Sequence, residues 1–569
     1  MKFKTYCALT LMAGLAIVLT LNSCTKLDEK PYDIIISSNF LQTREDVIRD
    51  FLRSFEHGYW SIGSTFVAQE NSADQLITPN REGDWYDGGI YQRAHYHTWI
   101  PTDSYTSGMW NALYQGIDLA TNSLEDIQAI DPAKFNMTEA EKADFIAELR
   151  VHRAWFYLRL LDLYRNIEII TKVKGENTGT TQSTPEESFS FIEKELKESV
   201  DGLPTKESLG EHAVGRWTKG AAMSLLARLY LNAKVYIGQD KFSECAAVCQ
   251  DIIDGKYGNY AIEDRWDAPF DYNNDNSPET VFAFPSSQGY THWHYTDDMY
   301  WRFYEANTFK YFGFTEFGAN NPKWSLAPGR DVDGNELPQA LGKPFLKFSK
   351  YPDDVRLKKY KNLGNSQREG MFLFGYLPYT EDGVAKNVQT TKGYTLYMRD
   401  AVGMFTNLPP DEVPADKESN MNHADHNSGF RLVKYPIYPS DDKNAILSAY
   451  AEIRLAEIYY SLAECKYRAG DKPGAAALLN SVRKRYYPSG SASLYKTDGS
   501  DLNDQEMIDE WGREFIGEGR RRTDLIRWGI FNAGNWWDKQ PDAGNYTLIF
   551  PIGTRVLNIN PQLKQNPGY

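Results

Sequence analysis

The chain has 569 residues, of which 41% are hydrophobic and 14% aromatic, and its formal net charge at pH 7 is −15. This composition is that of a globular protein with enough apolar residues for a large core, and it excludes a disordered chain. The 62 Lys and Arg residues are outnumbered by 77 Asp and Glu residues and form no basic block. Nucleic acid, whose phosphates require a positive surface, is therefore not an expected partner.

The first residues have the layout of an export signal. Lys2 and Lys4 precede a largely apolar run over residues 8–21, which is too short to span a bilayer. The segment LNSC at 21–24 resembles a bacterial lipobox, in which Cys24 becomes the acylated first residue of the mature chain. Ordinary signal-peptidase cleavage nearby is the alternative. We predict a signal peptide over 1–23, a membrane anchor through acylated Cys24 and a polar tether over 24–40.

The next part of the chain carries the spacing of amphipathic helices. Apolar residues recur at intervals of three and four over 43–59, 109–130 and 142–164. The segment TPEE at 184–187 has the form of a capping box with Pro at the first helical position. It predicts a helix start there, and the segment DGLP at 201–204 predicts the end of that helix.

Two later segments, 219–253 and 451–485, resemble each other. Each combines a helix with an Ala and Leu or Tyr stripe, a short turn with Gly and Asp, and a second helix rich in small residues. Such helix pairs are typical of tetratricopeptide repeats. Between them, Pro, Gly, Asn, Asp and aromatic residues interrupt short apolar runs, which indicates loops and short strands.

We therefore predict a mostly α fold, in which a tetratricopeptide-like helical scaffold over about 41–254 and 450–535 carries a loop-rich elaboration with short strands over about 255–449. All of it is assigned to one domain over 41–569. Apart from Cys7 in the signal and Cys24, three cysteines remain, at 245, 249 and 465. An odd number argues against a disulfide framework, so these thiols are predicted to be small buried hydrophobic groups.

The tryptophans divide into two groups. Five of them fall within helical periodicity, where core packing explains them: Trp110, Trp155, Trp217, Trp511 and Trp528. Others, including Trp99, lie where no periodic face requires a large ring, notably in the aromatic stretch 291–314. A sugar ring has an apolar CH face and a rim of hydroxyls, so flat aromatic groups beside carboxylate, amide and Arg groups suit sugar binding. The alternative is a cluster of rings that packs the loops. The candidate ligand-binding residues are Asp74, Arg81, Trp85, Tyr86, Trp293, Tyr295, Asp298, Trp301 and Trp324.

The other polar motifs are weaker indications of a functional site. The adjacent carboxylates Asp297 and Asp298 point to opposite faces of an extended strand, so they do not form the flanking pair that glycoside hydrolysis needs. His95-x-His97 and His292-x-His294 would bind a metal only with a third ligand, and stacking and hydrogen bonding are favoured instead. No catalytic residue, metal or cofactor is predicted. A scaffold ion-pair network is the favoured interpretation of Glu514, Glu518, Arg520, Asp524 and Arg527.

Several motifs together resemble the SusD-like (RagB/SusD) family of outer-membrane nutrient-binding lipoproteins. They are the lipobox at Cys24, the series Trp110, Tyr114, Ile117 and Asn122, and the segments RLAEIYYSLAE at 454–464, REFIGEGRRRTDLIRWG at 513–529 and NPQLKQNPGY at 560–569. The resemblance implies four tetratricopeptide-like helix pairs and a variable loop-rich face. It also implies a lid on a SusC-type TonB-dependent transporter that captures glycans without catalysis, with ligand contacts near 74–85 and 293–324.

The favoured hypothesis is a cell-surface lipoprotein, anchored in the outer membrane, that binds an oligosaccharide or polysaccharide and passes it to the transporter. Trp85, Trp293, Trp301 and Trp324 would be stacking platforms, and Asp74, Arg81 and Asp298 would bind hydroxyls. Two alternatives are open. One is a lid for peptide or another non-glycan nutrient, or a purely structural subunit of the transporter. The other is a glycoside hydrolase lipoprotein.

Overall fold

A computed structural model describes residues 41–174, 181–286, 300–315, 321–364, 367–438 and 448–569, without the side chains of Tyr300 and Trp301. Helices account for 46% of the structure and strands for 11%, which confirms the predicted mostly α class. Among the described residues, those from Asp50 to Tyr569 form one compact unit. Among the described helices, none combines the length and the apolar character that crossing a bilayer requires.

The helices before the loop-rich region include the longest of the described helices. They are α1 (Arg44–Phe66), α2 (Ile90–Tyr96), α3 (Ser104–Ala129), α4 (Glu139–Tyr164), α5 (Pro185–Ser199), α6 (Lys206–Leu209), α7 (Lys219–Leu231), α8 (Ala233–Ile237) and α9 (Phe242–Ile253). A π-helical turn, Val67–Asn71, continues α1. The capping box that begins α5 is confirmed, because the Thr184 hydroxyl accepts from the Glu187 amide at 3.2 Å and the Thr184 amide donates to the Glu187 carboxylate.

The later helices are α10 (Phe309–Phe312), α11 (Pro344–Ser349), α12 (Leu455–Arg468), α13 (Lys472–Arg483), α14 (Asp504–Phe515), α15 (Arg521–Arg527) and α16 (Thr554–Ile559). Both predicted helix pairs are present: α7 packs against α9, and α12 packs against α13. The two pairs also meet, since α9 packs against α12. The three free cysteines at 245, 249 and 465 are buried, as predicted.

The strands are short and form two-stranded antiparallel ladders. They are β1 (Leu76–Ile77), β2 (Ile167–Glu168), β3 (Gln182–Ser183), β4 (Thr280–Phe284), β5 (Ser325–Leu326), β6 (Lys361–Gly364), β7 (Gln367–Glu369), β8 (Phe372–Leu373), β9 (Gly375–Tyr376), β10 (Pro378–Glu381), β11 (Val384–Asn387), β12 (Tyr397–Met398), β13 (Arg431–Leu432) and β14 (Tyr450–Arg454). The ladders are β1–β5, β2–β3, β4–β14, β6–β7, β8–β13, β9–β12 and β10–β11. Most strands lie in the predicted loop-rich region. The ladder between β1 and β5 matters most for the site, because it brings the chain after residue 77 beside the chain before residue 325.

Most of the tryptophans that fall within helical periodicity in the sequence form part of the core. Trp110, Trp155, Trp217 and Trp511 are at most 4% exposed, as the periodicity predicted, and Trp528 is half-buried. Trp217 illustrates how helices and strands join in this core, since its ring stacks on Phe282 of β4 with centroids 3.7 Å apart. Aromatic rings thus cover the contact between the helical scaffold and the longest ladder.

The charged cluster in and beside α15 is a structural ion-pair network, as predicted. Arg454 lies 3.0 Å from Glu514 and 2.9 Å from Glu518, and Arg520 lies 3.1 Å from Glu457. Further pairs connect α15 to distant parts of the chain: Arg527 with Glu464, Arg521 with Asp74, and Arg522 with Asp162. These side chains are paired with one another and hold the scaffold together.

Candidate functional site

The best-defined candidate surface is built on residues 81–89, here called the platform loop, between β1 and α2. Backbone hydrogen bonds between Arg81 and Asp84 close a two-residue turn whose central residues, Glu82 and Gly83, have φ of 52° and 95°. Two left-handed residues are the hallmark of a type I′ turn. Trp85 is also left-handed, with φ of 64°. Such residues persist only where the surroundings hold them, so the backbone that presents Trp85 has a fixed shape.

Trp85 is half-buried and rests on cationic side chains. Its Nε1 donates a hydrogen bond to the carbonyl of Asn321 at 3.1 Å. The guanidinium carbon of Arg302 lies 5.2 Å from the ring centroid and Lys323 Nζ lies 5.5 Å from it, which are cation–π distances. The neighbouring Tyr86 is 52% exposed. Together Trp85 and Tyr86 present aromatic surface at a place where the backbone is rigid.

A buried histidine connects the platform loop to two other segments. His426 is fully buried, and its Nε2 lies 3.0 Å from Asp84 Oδ2 while its Nδ1 lies 2.6 Å from Glu305 Oε2. A neutral imidazole can donate to one of these carboxylates, and the imidazolium can donate to both. The backbone amide of His426 donates to the Tyr394 hydroxyl, which itself donates to Glu82 at 2.7 Å. Burial, with the nearby Asp425 carboxylate, raises the pKa of this phenol well above its usual range.

The segment 391–394 completes the polar rim of the platform. Lys392 Nζ lies 3.0 Å from Asp84 Oδ2, and the Thr391 amide donates to Glu305 at 2.8 Å. The Thr391 hydroxyl donates to the side chain of Asn321, whose carbonyl holds Trp85. Carboxylate, ammonium, hydroxyl and amide groups thus surround the exposed aromatic surface. This combination can stack on the CH face of a sugar and hydrogen-bond its hydroxyls.

Asp74 does not belong to this surface, which corrects the sequence prediction. Its side chain is fully buried, and it accepts hydrogen bonds from Arg521 at 2.7 Å and from the Gly342 amide at 2.9 Å. Although burial alone raises the pKa of the Asp74 carboxyl, the charges of Arg521 and Lys347 hold it well below its usual range. A carboxylate enclosed in this way stabilises the scaffold and cannot reach a ligand hydroxyl.

Arg81 requires the same correction. Its guanidinium is fully buried and donates to the carbonyls of Pro322, Asp425 and Ser428 and to the Ser325 hydroxyl, at 2.7–3.2 Å. Burial lowers the pKa of Arg81 to about 10, and the Asp425 carboxylate opposes this shift. Arg81 therefore joins the segment at 322–325 to the segment at 425–428 beneath the platform loop, and its role at the site is indirect.

Trp324 is a core residue and not an exposed platform. It is fully buried, and its ring meets Phe66 edge-on with centroids 5.2 Å apart. Its indole is connected to the site through Lys323. The Nζ of Lys323 lies 4.9 Å from the centroid of the Trp324 ring and 5.5 Å from the centroid of the Trp85 ring. The backbone of Trp301 lies in a 3₁₀ turn, Tyr300–Phe303, and Trp293, Tyr295 and Asp298 lie outside the described residues.

His95 and His97 each face a different set of partners. His95 Nε2 lies 2.7 Å from Asp538, whereas His97 contacts Asp542 and the Ser72 carbonyl, each at 2.7 Å. The ring of His97 also stacks on Phe531, with centroids 4.2 Å apart. These contacts confirm the stacking and hydrogen-bonding interpretation of this pair. Its counterpart, His292-x-His294, lies outside the described residues.

One group of potential metal ligands was not predicted. Asp416, Glu418 and His423 bring ligand atoms within 4.8 Å of one another. Both carboxylates are exposed, and His423 Nε2 lies 3.0 Å from Asp416. A surface ion pair accounts for this arrangement, and it belongs to neither the platform loop nor its rim.

A cavity inside the scaffold is less suited to binding a ligand than the platform loop is. Arg159, Arg228, Glu452 and Glu457 are among the residues that line it. They pair with one another: Arg228 lies 2.8 Å from both carboxylates, and Arg159 lies 2.8 Å from Glu452. Because these charges neutralise each other in place, the cavity wall is part of the scaffold network. The platform loop offers the more accessible aromatic and polar groups.

Comparison with known proteins places this architecture in a family. A family model described as "SusD family" matches residues 387–569, and another described as "Starch-binding associating with outer membrane" matches residues 27–231. The chain belongs to the SusD-like family. This confirms the resemblance drawn from the motifs at 454–464, 513–529 and 560–569.

Individual SusD-like proteins match nearly the full length of the chain. The starch-binding protein SusD of Bacteroides thetaiotaomicron is 27% identical over 535 residues, which are 90% of this chain and 86% of that protein. A SusD superfamily protein from Parabacteroides distasonis has the same fold, with a TM-score of 0.65 and 16% identity over 92% of this chain and 99% of the other. A laminarin-binding SusD-like protein has a TM-score of 0.62 and 20% identity over 93% of this chain and 100% of the other.

The sequence analysis identified the platform loop but missed its rim. Trp85 and Tyr86 stood out because no periodic face requires them. His426, Tyr394, Lys392 and Glu305 carried no such signal, since each is an isolated polar or aromatic residue in an irregular segment. They meet Asp84 and Glu82 only through contacts that span hundreds of residues.

Proposed function

We propose that this SusD-like protein binds an oligosaccharide or polysaccharide at the platform loop, with Trp85 and Tyr86 as the stacking surface. The observation that carries the proposal is the fixed, partly exposed aromatic pair on a loop with three left-handed non-glycine residues, ringed by hydrogen-bonding groups. A pre-formed surface loses little conformational entropy when it binds a ligand, which favours affinity. The names of the starch-binding and laminarin-binding relatives support a glucan-type ligand.

Anchoring and delivery complete the proposal. The lipobox at Cys24 supports acylation and attachment to the outer membrane, facing the cell surface, and the family description supports association with that membrane. Capture of the glycan would then precede its transfer to a SusC-type TonB-dependent transporter. The carboxylates at the platform are bound to His426, Lys392 and Tyr394, and this commitment favours binding over hydrolysis.

The test is glycan binding by the protein lacking residues 1–24. Native gels containing soluble starch, laminarin, galactomannan or arabinoxylan identify the polysaccharide that retards migration, and calorimetry then gives its affinity. We expect Trp85→Ala to weaken binding at least about tenfold, which is ~1.4 kcal/mol, because the stacking surface is lost. The unfolding midpoint should change little, since the indole is half-buried.

Trp60→Ala is the matched control. Trp60 is 44% exposed on α1 and takes no part in the platform or its rim. This variant should bind as the wild type does. Unchanged affinity in Trp85→Ala would contradict the assignment of the platform. Absence of binding to every glycan tested would favour the alternative of a peptide or other non-glycan nutrient, and release of reducing sugar by the purified protein would show a hydrolase.

A further inference from the structure

A cleft with one aromatic wall, separate from the platform loop, lies at the edge of the loop-rich region. It has a volume of about 420 Å³ and is formed by residues 264–267 and 367–370 together with Val355, Lys358, Leu363 and Arg485. Trp266 is its aromatic wall, and Leu363, which is 51% exposed, provides a second apolar surface. The cleft shares no residue with the platform loop or its rim. Its volume lies within the range of small-molecule binding sites.

Trp266 is held on a rigid base. The Arg368 guanidinium carbon lies 4.8 Å from the centroid of the Trp266 ring. Arg368 is only 7% exposed, and it donates to the carbonyls of Val433 and Lys434 at 3.0 and 2.9 Å. A cation fixed in this way orients the indole as Arg302 and Lys323 orient Trp85. The half-buried ring thus occupies a defined position at the cleft wall.

The charged side chains of the cleft are mostly paired. Arg265 lies 2.8 Å from Asp267 and 3.0 Å from Asp271, and Lys358 lies 3.4 Å from Glu369. Arg485 is bound to Glu279 and Glu514. A charged ligand could bind one of these side chains only by displacing the side chain with which it is already paired. An uncharged ligand would leave them intact, so the electrostatics favour a neutral molecule.

Two polar side chains of the cleft remain uncommitted. Asp264 and Gln367 are both exposed, and within the described ranges neither makes a side-chain hydrogen bond or an ion pair. A carboxylate accepts hydrogen bonds through both of its oxygens, and an amide both donates and accepts. Adjacent hydroxyls of a sugar match this set, while the Trp266 ring and Leu363 suit its CH face.

We propose that this cleft is a second glycan-binding subsite, which takes an uncharged pyranose unit of the same polysaccharide that the platform loop binds. The chemical class of the ligand rests on the proposed function, whereas the place and the residues rest on the cleft alone. Two subsites on one protein increase the retention of a long chain, because binding at one raises the effective concentration at the other. A short oligosaccharide cannot benefit in this way.

The experiment compares five variants with the wild type, using the polysaccharide that retards the wild type. They are Trp85→Ala, Trp266→Ala, the double variant of these two, Asp264→Ala combined with Gln367→Ala, and Trp60→Ala as control. We expect Trp266→Ala to weaken retention by the polysaccharide at least threefold and to leave the affinity for a short oligosaccharide at the platform unchanged. The double variant should lose the binding that remains in Trp85→Ala. Asp264→Ala with Gln367→Ala, which changes only exposed side chains, should reproduce the Trp266→Ala result in a protein of wild-type stability.

Two outcomes would overturn the subsite, and they differ in what they say of the platform. If Trp266→Ala and the Asp264 and Gln367 variant both match the wild type while Trp85→Ala does not, the second subsite is wrong and the proposed function stands. If the wild type binds none of the four polysaccharides, both assignments are wrong.

Discussion

Glu70 is a carboxyl group enclosed in the scaffold, on the π-helical turn after α1. Its Oε1 accepts hydrogen bonds from the amides of Gly519 and Arg520 at 2.8 and 3.1 Å, and in the described structure its Oε2 is buried without a hydrogen-bond partner. Burial raises the pKa of Glu70 to about 8, although these amides and Arg521 oppose the shift. The folded protein therefore keeps this group protonated at neutral pH, where the unfolded chain ionises it.

This difference makes the stability pH-dependent. Because the folded state binds the Glu70 proton more tightly, its contribution to the free energy of unfolding is complete below the unfolded pKa of about 4.5 and falls as the pH rises towards about 8. We expect Glu70→Gln to remove this loss, since Gln keeps the acceptor oxygen and cannot ionise. The wild type should lose ~1 kcal/mol per pH unit relative to the variant across this window.

Urea unfolding between pH 5 and pH 8 measures the effect. The exposed Glu186→Gln on α5 is the control for the change in net charge. A wild type and a Glu70→Gln variant whose stabilities change in parallel over this window would show that Glu70 is ionised in the folded protein.

Single residues also show what a sequence can and cannot reveal about a site. The aromatic pair Trp85 and Tyr86 is visible in the sequence, and it led to the loop at which we propose that the ligand binds. Burial is not visible in irregular segments, because no periodicity distinguishes an inward from an outward side chain. Asp74, Arg81 and Trp324 were therefore assigned to the ligand, whereas the fold places all three in the interior.

The platform loop depends on elements that are far apart in the chain. Arg81 donates four hydrogen bonds to the segments at 322–325 and 425–428, and the second of these carries His426. We expect Arg81→Ala to lower the free energy of unfolding by about 3 kcal/mol, because buried carbonyl groups lose their donors. Glycan binding should weaken as well, since His426 then loses its position beside Asp84.

Urea unfolding measures the stability of Arg81→Ala, and calorimetry measures its glycan affinity. A loss of both distinguishes Arg81 from Trp85, whose replacement should lower the affinity alone. Arg555→Ala, at an exposed position of α16, is the matched control and should change neither quantity. Full stability in Arg81→Ala would contradict the role assigned to its hydrogen bonds. Weaker binding at full stability would instead indicate that Arg81 contacts the ligand directly.

Elements that are determined by neighbouring residues in the chain could be predicted from the sequence. Elements that are determined by contacts between distant residues could not. The start of α5 follows from four adjacent residues, and the helix pairs follow from periodicity within about 35 residues. By contrast, Leu76 pairs with Leu326 and Ile77 with Ser325 in two-residue strands. Strands this short leave no alternating pattern, so the ladder that brings the platform loop to Asn321 has no signature in the sequence.

Across the whole molecule, buried ion pairs join the first helices to the last. Arg522 of α15 lies 2.7 Å from Asp162 of α4. Although burial alone raises the pKa of Asp162, the charges of Arg522 and Arg165 keep it below its usual value. The sequence predicted ion pairs at helical spacing in this region, and Asp524 does lie 3.3 Å from Arg520 and 2.8 Å from Arg527, each within one helical turn. Arg521 and Arg522 instead pair with Asp74 and Asp162, hundreds of residues away. Charge spacing reports only neighbours along a helix.

This pair predicts cooperative unfolding. We expect Arg522→Met to lower the free energy of unfolding by about 3–5 kcal/mol, because a buried carboxylate loses a partner. Since the pair joins both ends of the scaffold, the transition should move as a whole. Tryptophan fluorescence and far-ultraviolet circular dichroism should then give coincident urea curves in the wild type and in the variant.

Lys194→Met, an exposed change on α5, is the control and should leave the midpoint unchanged. Separate transitions in Arg522→Met, with the helical signal retained after the fluorescence has changed, would show that the two ends of the chain fold independently.

The contacts between the two ends have a consequence for how such a protein can diversify. Glu70, Asp74 and Asp162 reach directly to residues 519–522, without any intermediary from the region between β4 and β14. The intervening segments behave as long insertions between two points that are already fixed in space. Their loops can lengthen, shorten or exchange aromatic residues while the frame that carries them persists. A change of ligand can thus arise from substitutions in these segments and in the platform loop at 81–89, while the ion-paired frame is kept.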